Sequence, residues 1–245
     1  MSKDLRHTQR LFIECELSVG KAISLDTPQA HYLQNVLRLK VNDIVRVFNG
    51  RQGEWQAVLT KIQKRETELT IQKQLRAQLP MQDLWLCAAP IKRAHFDYMI
   101  EKATELGITD FHPVLTSRTQ VREMNEERCQ AIAIEAAEQS DRLSIPKIAK
   151  PRTLAEVAAS WPHDRVLIVC AEWGEALSLK EALASNRMSK TAIMTGPEGG
   201  FAGDELEILK QISSAIFVRL GPRILRADTA AIAALSCWQA MRGDW

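Results

Sequence analysis

Beyond residue 80 the chain alternates short apolar runs with stretches of helical periodicity, and this alternation constrains its fold most strongly. The apolar runs are of strand length and lie at residues 84–89, 111–115, 166–170, 192–195 and 216–220. Between them, apolar residues recur at spacings of three and four, for example in a helix predicted from about 125 to 140. Buried strands that alternate with helices are typical of an α/β domain with a largely parallel sheet.

The first third of the chain has a different pattern, in which apolar and polar residues alternate. Val45 and Val47 have polar neighbours, turn-forming residues follow at 49–53, and the alternation resumes at Trp55. This period of two predicts antiparallel strands, here in a small β-barrel. One helix that begins near Pro28 is expected to interrupt them. The pattern changes at residues 76–81, so we expect a small domain at 1–76 and a larger one at 77–245.

The same division separates the charges of the chain. Residues 1–76 carry 13 Lys and Arg against 8 Asp and Glu, whereas residues 77–245 carry 19 against 22. A basic domain attached to a slightly acidic one suggests that the basic part holds a polyanion. Chance variation of surface charge is the alternative, and the count alone does not decide between them.

Composition excludes several classes of protein. Hydrophobic residues make up 46% and charged residues 25%, as in ordinary globular proteins, which disfavours disorder. The first ten residues are polar and lack the apolar core of a signal peptide, and no run is long enough to cross a bilayer. The five cysteines are far apart and lack the spacing of metal ligands. We therefore expect a cytoplasmic protein with reduced thiols and no metal site.

Two loops directly follow predicted strands, where open α/β sheets bind their ligands. The first, residues 195–200, reads Thr-Gly-Pro-Glu-Gly-Gly. Its three glycines allow positive φ values and let a ligand approach the backbone closely. The spacing fits neither the dinucleotide-binding fingerprint nor a phosphate-binding P-loop. At this point a tight structural turn and a ligand-binding loop explain the glycines equally well.

The second loop, residues 219–229, combines three arginines with bulky aliphatic side chains. Ile224 and Leu225 could grip a flat ring such as adenine, and Arg226 could face an anionic substrate. The alternative is a solvated charged loop, but that would leave the two aliphatic side chains exposed.

Together the motifs resemble a known class of enzymes. Gly-Pro-Glu-Gly-Gly, followed in the next loop by Leu-Gly-x-x-Ile-Leu-Arg-x-Asp-Thr-Ala, resembles the SPOUT class of methyltransferases. Within it the match is to the RsmE family, which methylates N3 of a uridine in small-subunit (16S) ribosomal RNA. The likeness covers the whole chain, since residues 10–12, 31–38 and 47–50 match that family's PUA-like domain, and 102–107 and 138–142 match its catalytic domain. Asp228 stands where the family more often has glutamate, so the carboxylate is kept.

The resemblance implies a C-terminal SPOUT domain with a parallel sheet and a trefoil knot, a homodimer, and S-adenosyl-L-methionine as the methyl donor. The residues expected to hold the donor are Thr195, Gly196, Gly199, Gly200, Leu220, Gly221, Ile224, Leu225 and Thr229. Arg226 is expected to stabilise the deprotonated uracil, and Glu198 is the candidate base or donor-contacting carboxylate. Contacts to RNA phosphates are expected from Arg10, Arg38, Arg46 and Arg51 in the small domain, and from Arg118 and Arg122 in the larger one.

Two other functions stay open at this stage. A SPOUT methyltransferase could modify a ribose 2′-hydroxyl or a guanine instead, although the PUA-like match argues against this. A non-catalytic RNA-binding factor of ribosome assembly could retain a vestigial pocket, which the intact glycines and Arg226 disfavour. The residues do not decide the identity of the base, or whether the substrate is the assembled small subunit or naked RNA.

Overall fold

The structure is a computed structural model that describes residues 8–63, 66–171, 176–185 and 190–245. The chain divides into two compact units. Unit 1 consists of Met1–Pro80 with Ala137–Ser144, and unit 2 of Met81–Ala136 with Ile145–Trp245. Unit 1 therefore includes residues 137–144 from the middle of the chain. The predicted boundary between residues 76 and 77 assigns these residues to the larger domain.

Unit 1 is built on a five-stranded mixed sheet. Its strands are β1 (Arg10–Phe12), β2 (Ala22–Ser24), β3 (Ile44–Phe48), β4 (Glu54–Gln63) and β5 (Glu66–Arg76), in the spatial order β1-β3-β4-β5-β2. Strands β3, β4 and β5 form an antiparallel meander, as the alternation predicts, and Val45 and Val47 are completely buried. Strand β1 instead pairs with β3 in parallel, because the long connection between them returns the chain in the same direction.

The predicted helix of unit 1 is present but short. Helix α1 (Thr27–His31) continues into one π-helical turn (Tyr32–Val36). Asp26 caps its start, because the carboxylate accepts a hydrogen bond of 2.7 Å from the backbone N–H of Gln29.

A buried ion pair between Arg10 and Glu54 organises one side of unit 1. Nε of Arg10 donates to Oε1 of Glu54 at 2.7 Å, and both side chains are almost fully buried. Nη1 of Arg10 donates to the carbonyl oxygens of Ala137 and Glu138, and Nη2 donates to the carbonyl oxygen of Arg142. The prediction that Arg10 offers its charge to RNA is therefore wrong, because its guanidinium is buried and already bonded within the protein.

Unit 2 contains the parallel sheet, whose strands are β6 (Leu84–Ala88), β7 (Asp110–Leu115), β8 (Lys147–Ile148), β9 (Arg152–Thr153), β10 (Val166–Cys170), β11 (Leu177–Ser178), β12 (Thr191–Thr195) and β13 (Ala215–Arg219). The spatial order is β11-β13-β10-β12-β6-β7-β8, with β9 also paired to β7. The helices are α2 (Arg93–Glu105), α3 (Glu126–Gln139), α4 (Leu154–Ala159), α5 (Leu179–Ser185), α6 (Gly203–Lys210) and α7 (Ala227–Arg242).

The sheet of unit 2 is covered on both faces. Leu86, Ile168 and Ile193 belong to a core cluster with α2 and α7, whereas Leu167 and Met194 belong to a second cluster with α4 and α6. Every strand pairing described in this sheet is parallel. The predicted α/β domain with a parallel sheet is confirmed, and the trefoil knot that the resemblance implies stays a prediction.

We expect Glu54→Gln to destabilise unit 1 by about 3–5 kcal/mol, because it leaves the buried charge of Arg10 without its nearest counter-ion. The measurement is urea-induced unfolding of the full chain, followed by tryptophan fluorescence. Glu66→Gln is the control, because Glu66 pairs with Lys61 at the surface and its loss should change stability little. An equal decrease in the free energy of unfolding in both variants would contradict a larger contribution of the buried pair.

Candidate functional site

Three neighbouring strands of unit 2 end at the same edge of the sheet. Cys170 at the end of β10 lies opposite Thr195 of β12 on one side and opposite Val218 of β13 on the other. Because these strands are parallel, the segments that follow them must leave the sheet side by side. The two glycine-bearing loops of the sequence are therefore brought together here, and they enclose a pocket.

The pocket contains most of the residues predicted to hold a methyl donor. They come from both loops and are Thr195, Gly196, Gly199, Gly200, Leu220, Gly221, Ile224 and Leu225. Ile224 has 84% of its surface exposed, an unusual state for an isoleucine. An apolar side chain held open at a pocket rim is well suited to cover a ligand ring.

Three predicted site residues lie outside the pocket wall. Thr229 is exposed in the first turn of α7. Glu198 is exposed between the wall residues Pro197 and Gly199. Arg226 is the N-cap of α7 and is also exposed, immediately before Ala227 of the wall.

The first loop needs its glycines for backbone reasons. The N–H of Gly200 donates to the carbonyl oxygen of Pro197 at 2.9 Å, which closes a tight turn, and Gly200 has a φ of +66°. A side chain at Gly196 would begin only 3.3 Å from the ring of Phe201. The loop therefore keeps its backbone accessible, as a ligand-binding loop requires.

The hydroxyl group of Thr195 indicates that the pocket suits a ligand with a hydrogen-bonding group. Thr195 is only 2% exposed, lines the pocket, and its Oγ1 has no hydrogen-bond partner among the described residues. Buried hydroxyl groups without a partner are uncommon because their desolvation is costly. A polar ligand in the pocket would remove that cost.

Arginines surround the pocket. Nη1 of Arg118 donates to the carbonyl oxygen of Gly199 at 2.6 Å, so this exposed side chain lies across the first loop. Arg219 and Arg223 also line the pocket. The opening is thus positively charged, which favours an anionic group near the bound ligand.

The other predicted RNA-binding arginines belong to both units and differ in exposure. Arg122 is exposed beyond the pocket wall of unit 2, and Arg38 is exposed in unit 1. Arg51 is exposed as well, and its Nη2 donates to the carbonyl oxygen of Glu14. Arg46 has only 12% of its side chain exposed and pairs with Glu54 and Asp141, so most of its charge is compensated.

Several pocket residues outside the two predicted loops escaped prediction from the sequence, namely Cys170, Ala171, Leu206 and Ala230. Cys170 and Ala171 could have been found only with the strand order, which places β10 between β12 and β13. Burial raises the pKa of the Cys170 thiol to about 12, so this group is not a nucleophile at neutral pH.

Glu205 was also missed, and its carboxylate links two backbone segments that flank the pocket. Its carboxylate accepts hydrogen bonds from the backbone N–H groups of Ala202 and Ser117, at 2.8 Å and 2.7 Å. Glu205 is 6% exposed and lies in the first turn of α6. It therefore ties the start of that helix to the segment that carries Arg118.

Neither a metal site nor a membrane span is present in the part of the chain that the structure describes. It contains no group of three or more His, Cys, Asp or Glu side chains placed to bind a metal ion. None of its helices is both long and apolar enough to span a membrane.

Comparison with known proteins points to one family. A family profile for an RNA methyltransferase domain matches residues 77–239, and one for an RNA methyltransferase PUA domain matches residues 25–72. Ribosomal RNA small subunit methyltransferase E of Rickettsia conorii is 37% identical over 93% of both chains. The protein of the same name from Synechocystis is 35% identical over 93% of this chain and 76% of its own length.

A solved structure agrees with this similarity. It is that of ribosomal RNA small subunit methyltransferase E from Neisseria gonorrhoeae bound to S-adenosyl methionine. It superimposes with a TM-score of 0.86 at 29% identity, covering 96% of this chain and 98% of that one.

We expect Thr195→Val to weaken the binding of S-adenosylmethionine by about three- to tenfold, because the ligand loses one hydrogen bond. Without ligand, the variant should be as stable as the wild type or slightly more stable, since an unpaired buried hydroxyl is removed. Calorimetric titration and thermal unfolding of the ligand-free protein measure the two effects.

Thr104→Val is the matched control for this substitution. The buried hydroxyl of Thr104 donates to the carbonyl oxygen of Ile100, so its loss should lower stability by about 1 kcal/mol and leave ligand affinity unchanged. A Thr195 variant that is less stable but binds normally would show that the hydroxyl serves the fold instead.

Proposed function

We propose that this chain, which belongs to the RsmE family of ribosomal RNA small subunit methyltransferases, transfers a methyl group from S-adenosyl-L-methionine to N3 of a uridine in 16S ribosomal RNA. One observation on this chain's own residues supports the proposal most directly. The loops after β12 and β13 enclose a pocket that is lined by glycine backbone, the exposed side chain of Ile224 and a buried hydroxyl group without a described partner.

The pocket suits the chemical groups of this donor. Ile224 and Leu225 offer apolar surface for the adenine ring, and the glycine backbone of the first loop can approach the sugar closely. The hydroxyl of Thr195 can bond to a polar atom of the donor. When bound, S-adenosyl-L-methionine supplies a methyl group on a positively charged sulfur, which keeps the electron pair of the carbon–sulfur bond after transfer.

Methylation at N3 sets two tasks for the protein. N3 of uridine carries a proton and lies in the base-pairing edge, so the base must be unpaired and the proton removed. The electrons of the N3–H bond then form the new bond from nitrogen to carbon. The protein must therefore accept a proton and stabilise the negative charge that remains on the uracil.

Arg226 is our candidate for stabilising the anion, and Glu198 for accepting the proton. The guanidinium is permanently charged and exposed at the start of α7, next to the pocket wall. Glu198 carries an exposed carboxylate in the first loop, between the wall residues Pro197 and Gly199, and a carboxylate is a suitable general base.

RNA contacts follow from the exposed arginines in each unit. Arg118 and Arg122 follow the end of β7, and Arg38 and Arg51 lie in unit 1. Such contacts give affinity and register but do not read the base. We include the homodimer, the small ribosomal subunit as partner and a cytoplasmic location in the same proposal, as the family resemblance implies them.

The decisive experiment combines the purified protein with labelled S-adenosyl-L-methionine and either assembled small subunits or naked 16S RNA. Digestion to nucleosides and mass spectrometry should find N3-methyluridine. Methylated guanosine or 2′-O-methylated nucleosides would replace the proposed acceptor with another. Failure to bind the donor in calorimetry would refute the methyltransferase function itself.

We expect Arg226→Ala to nearly abolish methyl transfer while donor affinity stays roughly intact, because the charge is needed only when the uracil is anionic. Single-turnover assays and calorimetric titration measure the two quantities. Arg242→Ala, at the opposite end of α7, is the control and should methylate normally. Turnover close to that of the wild type in the Arg226 variant would exclude the role.

RNA binding should weaken strongly with increasing salt, because arginine–phosphate contacts release counter-ions. We expect Arg51→Ala, and separately Arg38→Ala, to lower the slope of log K against log salt by about 1. Filter binding of 16S RNA fragments over a series of salt concentrations gives the slopes. Slopes that equal the wild-type value would remove these residues from the RNA-binding surface.

A further inference from the structure

His95 of α2 and Asp228 of α7 form a contact that the proposed mechanism does not use. Nδ1 of His95 lies 2.8 Å from Oδ2 of Asp228. The histidine side chain is 44% exposed, whereas the aspartate side chain is only 10% exposed. The contact therefore joins a partly solvated ring to a nearly buried carboxylate.

The structure holds Asp228 as a carboxylate. Burial opposes its ionisation, but the hydrogen bonds from His95 and from the backbone N–H of Thr229 outweigh it and lower the pKa of Asp228. The residue also lies in the first turn of α7, where the helix dipole favours a negative charge. A buried charge of this kind is stable only while its partners stay in place.

Asp228 belongs to the turn that presents the proposed catalytic arginine. It is two residues beyond Arg226, and Ala227 and Ala230 in the same turn line the pocket. The N–H of Ala230 donates to the carbonyl oxygen of Arg226 at 2.8 Å. Displacement of Asp228 would therefore move the backbone that carries Arg226.

His95 belongs to the helix that follows β6, the strand paired with β12. It lies in the first turn of α2, and the N–H of Ala89, just beyond β6, donates to the carbonyl oxygen of Thr195 at 3.4 Å. The contact between His95 and Asp228 thus connects an element anchored beside Thr195 to the turn that holds Arg226.

Helices α2 and α7 are tied together at both ends. His95 and Asp228 join their N-terminal turns, and at the other end Nε2 of Gln239 donates to the carbonyl oxygen of Leu106 at 2.6 Å. Phe96 and Ala231 lie in the same core cluster between the two ties. Only the first tie is beside the pocket, so the two ties can be tested against each other.

We propose that His95 is a positioning residue that acts through Asp228 to fix the first turn of α7, and with it the place of Arg226 at the pocket. The proposal rests on the proposed function, because it assigns Arg226 to the methylation step. His95 itself need not touch the RNA or the donor.

The test compares His95→Ala, Asp228→Ala and the double variant in the full-length protein. We expect each single variant to lower kcat by about ten- to a hundredfold, because small displacements of catalytic groups are costly, while donor affinity changes less than about threefold. The double variant should be no slower than the slower single variant, since both remove the same tie. In the protein without donor or RNA, hydrogen exchange at the Ala230 amide should become faster.

Two further variants separate positioning from stability and from proton transfer. Gln239→Ala removes the remote tie and should lower stability without lowering kcat. His95→Lys supplies another N–H donor to Asp228 and should recover most of the lost rate, which a protonated lysine could not do by acting as a base. Unchanged exchange at Ala230 in His95→Ala, or an equal loss of kcat in Gln239→Ala, would overturn the proposal.

The exchange measurement also separates this proposal from the proposed function. It needs neither donor nor RNA, so a wild-type protein that makes no N3-methyluridine would refute the function only. Normal methylation by the wild type together with normal kcat in His95→Ala would refute the positioning role only.

Discussion

The pairing of β12 on both edges is the constraint on which the pocket depends. All five residues of this strand are buried, and β10 and β6 flank it in parallel register. A strand enclosed in this way cannot shift without breaking two ladders of hydrogen bonds and exposing both faces. Thr195, the last residue of β12, is consequently held in one position at the edge of the sheet. The backbone position at which the first glycine loop begins is therefore fixed.

The sequence predicts the components of the site well because they are local in the chain. The apolar runs at 166–170, 192–195 and 216–220 correspond to β10, β12 and β13, and the glycine loops follow as expected. The order of these strands is a long-range property, which local periodicity does not contain. Cys170 and Ala171 therefore became recognisable as pocket residues only from the sheet.

The same limit explains the misassigned arginine. In the sequence, Arg10 and Arg226 are both arginines beside apolar residues, and nothing local distinguishes their environments. Arg10 is bonded to Glu54, in a strand 44 positions away, and to carbonyl groups more than 120 positions away. Arg226 occupies the N-cap position of α7 and stays exposed. A count of basic residues consequently overstates the positive charge that unit 1 can present to a polyanion.

Because residues 137–144 belong to unit 1, the gene cannot be cut at one position into two parts that each encode one complete unit. A break after residue 80 would deprive Arg10 of the carbonyl groups of Ala137, Glu138 and Arg142. A fragment from residue 81 onward would in turn expose the segment that those groups belong to. Each unit consists of two separate segments of the chain, so a single junction cannot transfer either unit intact.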